Sequence, residues 1–278
     1  MHRIAALAIA ILMSAAAGSA HAEPSTPADE DTRTDGDRIW HLAPMAAGGL
    51  VYLVLEFGLK DAITPDECRW CTSNGFDNRI RDAWIWKDVE SADRWSNVTS
   101  YVAAPALAIG LLVATTARDH DVRRWFDDTI PVLQAGIISG MANQLVKVLT
   151  VRRRPYAEHD GVGVQPEGDE NTSFFSGHSA LSLAMTTASG TIATLRGYRS
   201  APVFWIGGGV LAVVTGYLRI ASDAHYATDV IAGSVVGAGI GLAVPLLLHR
   251  QHLSRGTKVL PHVSPSSGGA VFSLGGMF

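Results

Sequence analysis

Five long stretches of the chain carry no Lys, Arg, Asp or Glu: Asn97 to Ala117, Thr129 to Val146, Asn171 to Leu195, Ser200 to Leu218 and Val230 to Leu248, of 21, 18, 25, 19 and 19 residues. A helix crossing the core of a bilayer needs about 20 residues. A sixth, weaker stretch, Leu42 to Leu59, is interrupted by Glu56. The pattern predicts an all-α fold, a bundle of about six helices joined by polar connections, in a membrane-embedded form. The last long helix carries Gly233, Gly237 and Gly241 at four-residue spacing. That spacing puts small residues on one face, where a neighbouring helix can approach closely. Period-two alternation appears only in the tail, where Phe272, Leu274, Gly276 and Phe278 alternate. The tail reads as an extended segment; a terminal aromatic strand also ends outer-membrane barrels, but one strand cannot close a barrel.

Composition narrows the class. The 278 residues are 47% hydrophobic and only 17% charged, against about 25% charged in soluble domains. Disorder needs a polar, highly charged chain and is excluded. The formal net charge of -4 argues against nucleic acid as a partner, since that binding needs a basic face. A membrane protein or an unusually apolar helical domain remains.

The N-terminus suggests export. Arg3, the apolar run Ile4 to Ala17 and Ala20-His21-Ala22 have the layout of a secretory signal peptide. The expected organisation is a signal peptide at 1–22, a flexible acidic leader at 23–40, a helical domain at 41–250 and a tail at 251–278. Cys68 and Cys71, the two cysteines of the chain, form a candidate disulfide in an oxidising compartment. Basic residues mark one side of the bundle: Arg118, Arg123 and Arg124, then Arg196 and Arg199, then Arg250, Arg255 and Lys258. If the five strong stretches all cross, these connections are cytoplasmic. The loops at Arg152 to Arg154 and Arg219 to Asp229 then face the periplasm. A cleaved signal agrees with this only if Leu42 to Leu59 lies beside the bundle without crossing. The other arrangement is a periplasmic domain in which nothing crosses.

Three segments place polar residues at the edges of the apolar helices. In Lys147 to Pro155, Lys147 and Arg154 are seven residues apart, near two helical turns, so both can share a face at a helix end. Pro155 favours an exit from the helix at Arg154. Two fixed cations suit a phosphate-like anion, and equally a basic membrane edge. Ser173-Phe-Phe-Ser176-Gly177-His178 opens an apolar helix, whose N-terminus is an anion site; a Ser cap with an incidental His is the plainer reading. In Arg219 to Asp229, His225 and Asp229 are four apart and share a face if the segment is helical. A carboxylate on one imidazole nitrogen would leave the other free to attack. Arg152 and Arg153 are extra cations, read as attracting an anionic headgroup or as a solvated charge run.

Taken together, Lys147 with Arg154-Pro155, Ser176-Gly177-His178, and Arg219 with His225 and Asp229 resemble the three signature motifs of the type 2 phosphatidic acid phosphatase (PAP2) superfamily. That superfamily also contains vanadium haloperoxidases and bacterial class A acid phosphatases. Two positions depart from its pattern: Phe175 where Pro is usual, and Leu218 where Ser is usual. The resemblance implies a metal-independent phosphatase. His225 would attack phosphorus to form a phosphohistidine, with Asp229 orienting it and His178 serving as acid and then base. Lys147, Arg154, Ser176, Gly177 and Arg219 would hold the phosphoryl oxygens. The expected substrate is a lipid phosphate or pyrophosphate, with the protein in or at the inner membrane and its site facing the periplasm. A soluble periplasmic acid phosphatase acting on small phosphate esters is the alternative. A haloperoxidase, in which vanadate would be a cofactor, is the second. No other cofactor is expected.

Overall fold

The computed structural model describes residues 45–55, 67–117, 122–159, 169–248, 258–266 and 269–277. The predicted signal peptide and leader lie outside the described residues, as do the ends of Leu42 to Leu59 and the side chains of Arg118, Arg123, Arg250 and Arg255. In chain order the helices are α1 (45–55), α2 (Gly75–Trp84), α3 (Val89–Thr116), α4 (Val122–Thr150), α5 (Pro155–Glu158), α6 (Gly177–Leu195), α7 (Ala201–Ala221) and α8 (Ala227–Leu247). The all-α expectation holds for the domain. The tail pairs antiparallel as a hairpin, β1 (Lys258–Ser266) with β2 (Gly269–Met277), so the period-two segment is a strand with a local partner.

Helix α6 is the axis of the bundle, packed against α4, α7 and α8. It takes up 19 of the 25 residues of the charge-free stretch Asn171 to Leu195, yet it does not face outward: Ala184 to Ala193 is continuously buried. Its composition explains the position. Small residues let neighbours close in, and several of its hydroxyls bond back to the helix, as Thr186 donates to the Ser182 carbonyl and Thr191 to that of Thr187. The helix ends in a Schellman turn. Gly197 takes a positive φ of 68°, and the Tyr198 N–H reaches the Ala193 carbonyl. Around it, Leu112, Val132, Met185, Ile192, Phe204 and Val244 form the main apolar core.

Among the described residues, four helices are long and apolar enough to cross a membrane: Val89–Thr116, Arg124–Thr150, Ala201–Ala221 and Ala227–Leu247. Their outer faces are apolar. Val203, Ile206, Val210 and Val213 form an exposed stripe on α7, and Ile231 and Val235 are exposed on α8. In a water-soluble bundle that face is polar. At one end of the bundle Arg196 pairs with Asp128 across α6 and α4; the three polar segments lie at the other end.

The glycine row of α8 sits on the backbone of α6. A Cβ added at Gly237 would lie 2.2 Å from the Ala180 carbonyl oxygen, and one at Gly233 would lie 2.4 Å from that of Ser176. Contact this close allows no methyl group. Gly237→Ala is expected to destabilise the bundle by about 1–3 kcal/mol or more, read as a lowered unfolding temperature. Gly239→Ala, with nothing within 4 Å of its Cβ, serves as the neutral control.

Candidate functional site

The first polar segment leaves its helix earlier than Pro155 suggests. Helix α4 ends at Thr150, and Val151 takes a left-handed φ of 48°. A β-branched residue there costs of order 1–3 kcal/mol. The turn sends Arg152 and Arg154 inward while Arg153 stays exposed. Lys147 and Arg154 therefore share no helical face; a turn brings both into the site. Lys147 is buried on the last turns of α4. Arg154, extended at the start of α5, is clamped by protein acceptors. Its Nε donates to the Asp169 carbonyl (2.9 Å), Nη2 to Asp169 Oδ2 (2.8 Å) and Thr172 Oγ1 (3.2 Å), and Nη1 to the Ala224 carbonyl (3.1 Å). Four of five N–H groups are used, leaving one on Nη1 for a ligand.

The second segment opens α6 as expected, with Ser176 as an extended cap and Gly177 as the first helical residue. The third does not form one helical face. His225 precedes α8, while Asp229 lies in its first turn and accepts the Tyr226 N–H at 2.9 Å. The His225 Nδ1 lies 2.7 Å from the Ser173 carbonyl oxygen and 3.8 Å from Asp229 Oδ2. The direct orienting acceptor is thus a backbone carbonyl, with the carboxylate one step behind. A carbonyl only accepts, so Nδ1 carries the proton and Nε2 keeps its lone pair. Burial, and then the charges of Arg154, Arg219, Lys147 and His178, push His225 well below the ordinary imidazole value of 6.5. The charges of those four groups therefore all act on His225.

Asp229 is held mainly by Arg152, the residue the sequence offered only as a surface cation. Arg152 is 1% exposed. Its Nη1 donates to Asp229 Oδ1, and its Nη2 to Asp77 Oδ2 at 2.7 Å. The guanidinium lies 3.9 Å from the centre of the Trp70 ring and 4.6 Å from that of Tyr226. Ser173 Oγ donates to the other Asp229 oxygen at 2.6 Å. Asp77 also accepts the Thr228 N–H at 2.9 Å, tying α2 to the start of α8. Trp70 lies between Cys68 and Cys71, which are disulfide-bonded.

Helix α3 contributes residues for which the sequence gave no role. Asp93 accepts from Arg219 Nη1, which also donates to Ser96 Oγ at 3.0 Å. The Arg219 Nε is buried without a protein partner, a donor left for a ligand. Asn97 Oδ1 lies 2.7 Å from His178 Nε2. Asp93 and Asn97 stand four apart, just where the charge-free stretch begins. That spacing was the available signal.

Arg152→Ala would leave two carboxylates buried without their shared cation. It is expected to lower stability by about 3–5 kcal/mol, measured as a shift of the unfolding midpoint, whereas Arg153→Ala should change it little. A second prediction follows from His225. Its folded-state pKa lies below the unfolded value, so its contribution to stability is complete above 6.5 and is lost as pH falls through that value towards the depressed one. Unfolding temperatures between neutral and mildly acidic pH should fall more steeply for the native chain than for His225→Asn. Parallel profiles would contradict this.

No curated protein and no solved structure matches the chain. The family model described as the PAP2 superfamily matches residues 129–253, a span that contains Lys147, Arg154, Ser176, His178, Arg219, His225 and Asp229. That match supports assigning this span to the PAP2 superfamily.

Proposed function

We propose that the protein is a metal-independent phosphatase that cleaves a lipid phosphate or pyrophosphate through a phosphohistidine on His225. The PAP2 match supports phosphatase chemistry in general. The observation that carries the finer reading is His225 itself: a buried, neutral imidazole with Nδ1–H on the Ser173 carbonyl, ringed by Lys147, Arg154, Arg219 and His178. In this reading Nε2 of His225 attacks phosphorus, and Asp229 with Ser173 holds the ring. His178 gives a proton to the leaving oxygen and then takes one from water. The three cations, Ser176 and the Gly177 N–H hold the phosphoryl oxygens. Stabilising the charge spread over those oxygens is the largest contribution to rate. The cations supply the neutralisation that a metal supplies elsewhere, so no cofactor enters.

The lipid assignment rests on the apolar outer faces of the four candidate spans. A phosphate headgroup held at the polar end of the bundle leaves its acyl or prenyl chains in the bilayer. The periplasmic orientation rests on the signal-like N-terminus and on the basic connections at the opposite end.

The test is turnover by the purified full chain against phosphatidic acid, an isoprenyl pyrophosphate and p-nitrophenyl phosphate, with and without vanadate. Phosphate release from the lipids, inhibition by vanadate and loss of release in a folded His225→Ala variant are expected. Substantial residual turnover by that variant would overturn the nucleophile assignment. Preference for the small ester, with release of the protein by osmotic shock, would favour a soluble acid phosphatase. Halide oxidation with vanadate and peroxide would replace the phosphatase reading.

A further inference from the structure

We propose that Asn97 is a positioning residue that fixes which nitrogen of His178 carries the proton in the neutral ring, with Asp93 setting the direction of the Asn97 amide. The inference deepens the phosphatase reading and rests on it for the role of His178. Its first observation is a bond from Asn97 Nδ2 to Asp93 Oδ2 at 3.0 Å. A carboxylate only accepts, so the amide nitrogen, not the oxygen, faces Asp93. The Asn97 Oδ1 must then face His178, and it lies 2.7 Å from Nε2. That oxygen has no proton to give, so the bond forms only when Nε2 carries one. The neutral ring is the Nε2–H tautomer, and Nδ1 is the nitrogen that gains and loses the mobile proton.

The amide cannot easily turn over, because Asp93 is itself committed. Its Oδ1 accepts from Arg219 Nη1 while Oδ2 takes Asn97. One carboxylate on α3 therefore sets both a candidate phosphate-binding cation and, through Asn97, the acid. Helix α3 also holds His178 elsewhere. Immediately after Asn97 it widens into π-helical turns over Val98–Ala103. There Ser100 Oγ donates to the His178 carbonyl at 3.1 Å, and the Tyr101 ring centre lies 4.8 Å from that of the imidazole. Among the described residues, Asn97 and Tyr101 of α3 face His178, and His225, on which Lys147, Arg154 and Arg219 also act, feels its charge.

The two histidines then hold opposite tautomers for matching reasons. His225 keeps Nδ1–H on a carbonyl and presents Nε2; His178 keeps Nε2–H on an amide oxygen and presents Nδ1. In phosphoryl transfer the bond from His225 Nε2 to phosphorus forms as the bond from phosphorus to the leaving oxygen breaks. The proton on Nδ1 of the His178 imidazolium passes to that oxygen. In hydrolysis water attacks phosphorus, the phosphorus–nitrogen bond breaks, and Nδ1 takes the proton from water.

The test compares kcat/KM of the full chain in detergent for phenyl phosphate and for 2,4-dinitrophenyl phosphate, whose leaving group needs no proton. For Asn97→Leu the expected loss is about 10- to 100-fold on phenyl phosphate and about 3-fold or less on the dinitrophenyl ester. Equal losses on both esters would show a merely structural role and overturn the proposal. Spectra of the chain labelled with 15N-histidine, with His178 identified through His178→Gln, read the tautomer without any turnover. Nε2–H in the native chain and a mixture in Asn97→Leu are expected; Nδ1–H in the native chain overturns the proposal. Failure of the native chain to hydrolyse either ester would remove the phosphatase reading, while the spectra would still decide the tautomer.

Discussion

The site depends on one buried cation between two buried carboxylates. Arg152 bridges Asp77 and Asp229 with almost no access to water. Three charges in such a place are tolerable only if each finds strong partners. Here they do. Thr228 donates its N–H and hydroxyl to Asp77, Ser173 and the Tyr226 N–H reach Asp229, and Trp70 and Tyr226 offer ring faces to the guanidinium. The carboxylates also lie at the N-terminal ends of α2 and α8, where the helix dipole favours negative charge. Through this cluster the exit from α4, the Cys68–Cys71 loop, α2 and the start of α8 become one unit. The Ser173 carbonyl that directs His225 belongs to the residue whose hydroxyl grips Asp229.

A division of labour among the charges follows. Arg154 and Arg219 are held chiefly by protein acceptors, so neither guanidinium swings free waiting for an anion. Such cations are preorganised, and a bound phosphoryl group would meet them with little rearrangement. Their field, added to burial, also keeps His225 neutral. In the proposed reading this unprotonated imidazole is the nucleophile, and the same charges attract the phosphoryl group it would attack. Binding and activation are one electrostatic arrangement seen from two sides.

The helices and the gathering of the three polar segments were legible because both depend on local signals: charge-free runs for the first, and fixed spacings at their edges for the second. The connections between those signals were not. Arg152 and Arg153 are adjacent and chemically identical, yet one is the buried keystone and the other is exposed. The left-handed turn at Val151 decides between them, and nothing in a valine announces it. The His225–Asp229 spacing suggested a direct pair, but the helix begins only after His225, so a carbonyl from the second segment comes first. Asp77 and Asp93 belong to none of the three polar segments. Their cationic partners, Arg152 for Asp77 and Arg219 for Asp93, lie 75 and 126 residues further along the chain, and only the packing of α2 and α3 on α7 and α8 makes them part of the site. Most of the 25-residue stretch read as a span is the axis of the bundle, because hydropathy does not distinguish a helix surrounded by protein from one surrounded by lipid.

That axis links the apolar exterior to the chemistry. Where side chains face lipid, helices gain little by burying apolar surface against each other, and close backbone packing must hold them together. The α6–α8 seam does so at Gly233, Gly237 and Gly241, each of which lies against a carbonyl of α6. The first of these contacts is with Ser176, the residue that caps α6, and the Ser176 N–H donates to the Asp229 carbonyl at 3.1 Å. The seam therefore sets the separation between the N-termini of α6 and α8, and with it the distance from Gly177 and His178 to His225. Larger side chains in that row would part the two helix starts and open the cradle from below. The glycine spacing that lets the bundle pack with an apolar exterior is in this way the same feature that fixes the geometry of the site.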